Sequence, residues 1–139
     1  MNLTRRETLL MGAGAALAAT LPMPAMADAV SDAIMAFTGG VEPTEGGVTL
    51  NAPEIAENGN TVPIGVEAEG AESIILLSTG NPLPDVATFT FGPLAAAQSG
   101  STRIRLAKTQ DVIAVAKMSD GSFHKTSALI KVTIGGCGG

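Results

Sequence analysis

An all-β sandwich of about seven strands is the fold class that this sequence predicts. Short runs alternate apolar and polar residues, turn residues separate these runs at regular intervals, and no long stretch repeats at helical spacing. The absence of long helical periodicity argues against α/β folds, which need crossover helices between strands.

The elements follow in order. Residues 28–37 are the helical exception: Val30, Ala33, Ile34 and Phe37 fall at helical spacing, and Gly39 and Gly40 stop the helix. Val48-Thr49-Leu50 opens the β series, and Asn58-Gly59-Asn60 is a turn signal. Thr61 to Ala68 places Val62, Ile64, Val66 and Ala68 on one face, while Pro63 points to an edge strand or a bulge. Ser73 to Leu77 is a continuous apolar run, the pattern of a strand covered on both faces. Asn81-Pro82-Leu83-Pro84 is a loop that no regular element crosses. Val86 to Phe91 groups Ala87, Phe89 and Phe91, and Ser101 to Leu106 sets Thr102, Ile104 and Leu106 against Arg103 and Arg105. Val112 to Met118 leads through Asp120-Gly121, a hairpin signal, into a last strand from Phe123 to Ile134, with Ala128, Ile130, Val132 and Ile134 on one face.

Met1 to Ala27 reads as an export signal. Arg5 and Arg6 form a twin-arginine pattern after Thr4, an Ala- and Gly-rich apolar stretch runs to Leu21, and Ala25-Met26-Ala27 is a small-x-small cleavage site. The apolar stretch is too short and weak for a membrane span. These features predict a periplasmic protein exported by the twin-arginine route, cleaved after Ala27. The competing reading is an N-terminal helix that stays in place.

The full chain of 139 residues carries a formal charge of −5, and the cleaved form has 6 Lys+Arg against 12 Asp+Glu. A net acidic chain without Trp or Tyr is a poor match for nucleic acid, which asks for basic patches and stacking aromatics. Charge is segregated: ten acids and no Lys or Arg lie between Asp28 and Asp85, six basic residues and two acids beyond it. This polarity suits either a solvated surface or the orientation of docking partners.

The chain closes with Gly135-Gly136-Cys137-Gly138-Gly139, and Cys137 is its single cysteine. An odd cysteine in an exported protein points to a reactive thiol or to intermolecular pairing. The flanking glycines predict a thin flexible arm over 135–139, with an extended reach of ~16–18 Å. A zinc set is excluded by the count of one His and one Cys. His124 reads as an exposed hairpin residue, and a glycine arm cannot hold Cys137 against it as a nucleophilic pair. The residues therefore predict no catalytic centre, no metal and no cofactor; the chain is not itself an enzyme.

The terminal Gly135–Gly139 motif after Val132-Thr133-Ile134 resembles the SoxY carriers of thiosulfate oxidation. So do the twin-arginine signal, the stretch Pro53-Glu54-Ile55-Ala56-Glu57-Asn58-Gly59, and Ala116-Lys117-Met118-Ser119-Asp120-Gly121. The resemblance spans the mature chain and implies an immunoglobulin-like β-sandwich in a heterodimer with a SoxZ-type subunit. It implies that Cys137 carries sulfur intermediates covalently to three enzymes: a haem-containing coupling enzyme, a sulfate-releasing hydrolase and a sulfane dehydrogenase. It also implies that Gly135, Gly136, Gly138 and Gly139 let the arm reach each site. The expected organisation is a signal over 1–27, a helix and linker over 28–40, a carrier domain over 41–134 and the arm over 135–139. Two rival readings remain. A β-grasp sulfur carrier would use Gly138-Gly139 as a thiocarboxylate, but that needs cytoplasmic activation and gives Cys137 no role. An exported structural subunit would use Cys137 for an intermolecular disulfide, which leaves the four glycines unexplained.

Overall fold

The computed structural model describes residues 26–136, with side chains from Ala29 onward. The twin-arginine segment, with Arg5 and Arg6, lies outside the described residues, as do Cys137, Gly138 and Gly139. Among the described residues one helix, α1 (Met26–Thr38), precedes nine strands: β1 (Thr44–Glu45), β2 (Thr49–Asn51), β3 (Ile55–Asn58), β4 (Val62–Glu67), β5 (Ala71–Ser78), β6 (Asp85–Thr90), β7 (Ser99–Ile104), β8 (Gln110–Met118) and β9 (Phe123–Ile134). The described helix is not long and apolar enough to cross a membrane.

The strands form two sheets. The larger has the order β1-β9-β8-β5-β6, with β3 also paired to β9, and the smaller has the order β2-β4-β7. Between them lies the main core. β4 contributes Val62, Ile64 and Val66; β5 contributes Ile74 and Leu76; β8 contributes Val112, Ala114 and Ala116; and β9 contributes Ile130. Burying each of the larger side chains is worth about 1.5–3 kcal/mol, which makes this layer the main source of stability.

The other residues of β5 face away from the smaller sheet. Ile75 and Leu77 pack with Val115 and with Val30 of α1, joined by Ala33, Ile34 and Phe37. The apolar run in β5 is therefore covered on both faces, by a sheet and by a helix. Phe37 closes the end of α1 edge-to-face against Phe123, with ring centroids 6.0 Å apart. The helix spacing read from the sequence thus identifies the face that binds the sheet.

Pro63 sits inside β4 and yet keeps its predicted character. β2 runs beside β4 only from Gly65 to Glu67, so at Pro63 the strand has a partner on the β7 side alone. The Asp120-Gly121 signal marks the β8–β9 hairpin. Gly121 takes a φ of 86°, and Asp120 Oδ1 accepts from the amide and the hydroxyl of Ser122 at 2.8 and 2.6 Å. Those two bonds hold the Asp120 carboxyl below its ordinary pKa.

β1 and β3 are the elements that the alternation pattern does not announce. Both pair with β9 in parallel: Thr44 and Glu45 lie opposite His124 and Lys125, and Ile55, Ala56 and Asn58 opposite Lys131, Val132 and Ile134. Lys131 N donates to Glu54 O at 2.9 Å, while Val132 N points the other way to Thr109 Oγ1 at 2.9 Å. Successive amides of a strand face opposite edges, so β3 occupies the edge of β9 away from β8. β3 and β9 consequently run side by side, in the same direction, to the end of the sandwich where the glycine segment begins.

Candidate functional site

Three backbone hydrogen bonds tie together the segments that meet beyond Ile134. Gly59 N donates to Ile134 O at 2.7 Å, Leu106 N to Gly59 O at 2.8 Å, and Gly136 N to Leu106 O at 2.8 Å. The turn after β3, the loop between β7 and β8, and the chain leaving β9 thus form a closed clasp. Gly136 is buried.

Glycine is needed here because backbones approach closely. A Cβ on Gly135 would fall on Ala107 O, and one on Gly59 would fall on Leu106 O and lie 2.8 Å from Gly136 N. A Cβ on Gly136 would lie 2.6 Å from Arg105 Cγ and 2.8 Å from Gly59 O. This corrects the expectation of a free arm at Gly135 and Gly136; the rest of that arm, 137–139, lies outside the described residues. Gly135 and Gly136 are held against the domain, and glycine serves there to admit neighbouring chain, not to confer freedom. Cys137 is the next residue in the sequence.

The loop that receives Gly136 is itself fixed from below. Leu106 is fully buried in the core. Two buried amides, Asn81 and Gln110, hold the backbone on either side of it. Asn81 Nδ2 donates to Arg105 O at 2.7 Å, and its Oδ1 accepts from Ala107 N at 3.0 Å and from Gln110 Nε2 at 2.9 Å. Gln110 Nε2 also donates to Lys108 O at 3.0 Å, and its Oε1 accepts from Gly80 N at 2.8 Å. Asn81 belongs to the Pro-rich loop, where the sequence signals only an interruption. Its role depends on a partner, Gln110, that sequence spacing does not connect to it.

Arg103, Arg105 and Lys108 are exposed around this loop. The glycine segment contains no basic residue, but the fold brings Arg105 beside Gly136. A shallow groove of about 270 Å³ opens next to it, lined by Asn81, Leu83, Asp85, Val86, Arg103 and Arg105 among others.

His124 is half-buried, not exposed as the hairpin position suggests. Its Nδ1 is buried without a hydrogen-bond partner, Gly47 lies over it, and Nε2 is 3.3 Å from Ser122 Oγ. It stands at the opposite end of β9 from the clasp, roughly 33 Å from Ile134 along an extended strand. Among the described residues no cluster of His, Cys, Asp and Glu could hold a metal ion.

The fold and this site define a two-sheet, immunoglobulin-like sandwich whose last strand runs into a glycine clasp. The family described as Sulfur oxidation protein SoxY matches residues 34–137, and the chain belongs to that family. The solved sulfur carrier protein SoxY from Chlorobium limicola f thiosulfatophilum is 34% identical, with a TM-score of 0.69 over 77% of this chain and 94% of that one. The superoxide reductase (neelaredoxin) of Ignicoccus hospitalis shares the fold at 17% identity, with a TM-score of 0.55 over 63% of this chain and 80% of that one. A putative superoxide reductase from Thermotoga maritima does so at 17% identity, with a TM-score of 0.52 over 69% and 89%. No curated protein sequence matches the chain.

Proposed function

We propose that this protein is a periplasmic sulfur carrier in thiosulfate oxidation, with Cys137 as the covalent attachment point. The observation that carries the reading is that the family match runs through residue 137, the chain's single cysteine. The clasp supports it, because backbone hydrogen bonds hold Gly136, the residue before Cys137, against the domain. The protein contributes no cofactor and no catalytic group of its own.

The chemistry is a relay between enzymes. A haem-containing partner removes two electrons and one proton as the Cys137 thiol and thiosulfate join, giving R–S–S–SO3−. A hydrolase adds water and releases sulfate and two protons, leaving R–S–S−. A sulfane dehydrogenase, where it operates, oxidises the remaining outer sulfur before a second hydrolysis restores the thiol. The carrier works as a heterodimer with a SoxZ-type subunit. It reaches the periplasm by the twin-arginine route, with Arg5 and Arg6 as the recognition pair and Ala27 as the last residue removed.

A free cysteine has a pKa of ~8.5, so only a few per cent is thiolate at neutral pH, and activation falls to the partner's site. Intact mass spectrometry of protein from thiosulfate-grown cells, with and without a thiol reductant, tests the reading. Reductant-sensitive additions of sulfur or sulfonate on Cys137 are expected. A Cys137 found only as a disulfide between two chains would instead indicate a structural subunit.

A further inference from the structure

We infer that Asn81 and Gln110 are positioning residues for the carrier cysteine, acting through the Arg105–Lys108 loop on Gly136. The functional half of this inference rests on the carrier reading of Cys137; the structural half does not.

The argument is one of connectivity. Gly136 has its amide on Leu106 O, and the position of that oxygen is set by the loop backbone. The loop has no regular ladder of its own between the end of β7 at Ile104 and the start of β8 at Gln110. Carbonyls or amides of Arg105, Ala107 and Lys108 are satisfied by the two amide side chains. Asn81 and Gln110 are each 5% exposed and are bonded to one another as well. A buried polar network of this kind fixes one geometry, because losing any member leaves buried groups unpaired. The network therefore fixes Leu106 O, Leu106 O fixes Gly136, and Gly136 sets the point and direction from which Cys137 departs. Presenting the thiol from a fixed point removes part of the ordering entropy that docking would otherwise require.

Gln110→Met keeps the side-chain volume and deletes the donor and acceptor. The mature chain, in complex with its partner subunit, is read in two ways. Amide hydrogen exchange at Gly136 is compared with that at Val115, which lies in the core ladder. The coupling enzyme is assayed with the carrier as varied substrate. The expected result is about tenfold faster exchange at Gly136 relative to Val115, the equivalent of one lost hydrogen bond, together with a several-fold rise in the carrier's KM at constant kcat. Exchange at Gly136 that follows Val115 would overturn the inference. Faster exchange with an unchanged KM would also overturn it, leaving the amide pair a purely structural part. Asn81→Ser, which breaks the same loop from the other partner, replaces Gln110→Met if that variant does not fold. If the wild-type chain itself never turns over, the carrier reading fails, and the exchange comparison still decides whether these amides hold Gly136.

Discussion

Gly136 donates its amide to the carbonyl of Leu106 at 2.8 Å, so the last described residue of the chain is bonded to a loop anchored in the core. The residue that precedes Cys137 in the sequence is thereby fixed to the domain. Gly135 and Gly136 serve closeness, since a Cβ on either would meet neighbouring chain.

Gly136→Val is expected to lower both stability and turnover. Its β-carbon meets Arg105 Cγ and Gly59 O, and overpacking of this kind costs about 1–3 kcal/mol. Thermal unfolding checks the first effect, with a Tm lower by several degrees for a domain of this size. An unchanged Tm would show that the segment detaches at no cost.

Gly59→Ala is expected to act on the same clasp from the opposite side, since its Cβ falls on Leu106 O. Gly92→Ala is the control, because nothing lies within 4 Å of its added Cβ. Denaturant melts should separate the two, with a loss of about 1–3 kcal/mol at Gly59 and a change within ~0.5 kcal/mol at Gly92.

On the carrier reading proposed above, Cys137→Ser is expected to abolish thiosulfate-dependent turnover while leaving Tm and subunit association unchanged, since Ser matches Cys closely in size. Turnover assays with all three enzymes, beside calorimetry of the complex, check this. Residual wild-type rates would refute the covalent role.

Asp120→Ala is expected to lower Tm at neutral pH and to matter less in acid. The folded-state pKa is depressed by Ser122, so the contribution is present above the unfolded value of 3.8 and is lost as pH falls through the lower folded value. The gap in Tm between wild type and variant should close below that value. A pH-independent gap would place the effect in turn geometry alone.

The sandwich was legible where burial leaves a period in the sequence. β4, β5, β8 and β9 carry alternating or continuous apolar residues because they face one core or two. The Asp120-Gly121 turn announces itself through a residue that must take positive φ. β1 and β3 were not legible. β1 has two residues, β3 buries only Ala56 of its four, and both form parallel pairs with a strand far along the chain. No local signal encodes such a pairing. The same reason hides the clasp: in the sequence Gly59 reads as a turn residue, Gly135 and Gly136 as a flexible arm and Asn81 as part of a Pro-rich loop, because each acquires its meaning from a partner that only the fold supplies.

The parallel run of β3 beside β9 has a mechanical consequence. A pull on β9 from its C-terminal end, at Ile134, loads the strand along its own axis. β9 is bonded to β8 over Phe123–Ile130 on one edge and to β1 and β3 on the other. Ladder bonds lie across the strands, so tension loads many of them together in shear instead of opening them singly from one end. β9 therefore resists a lengthwise pull better than a strand paired on one edge would.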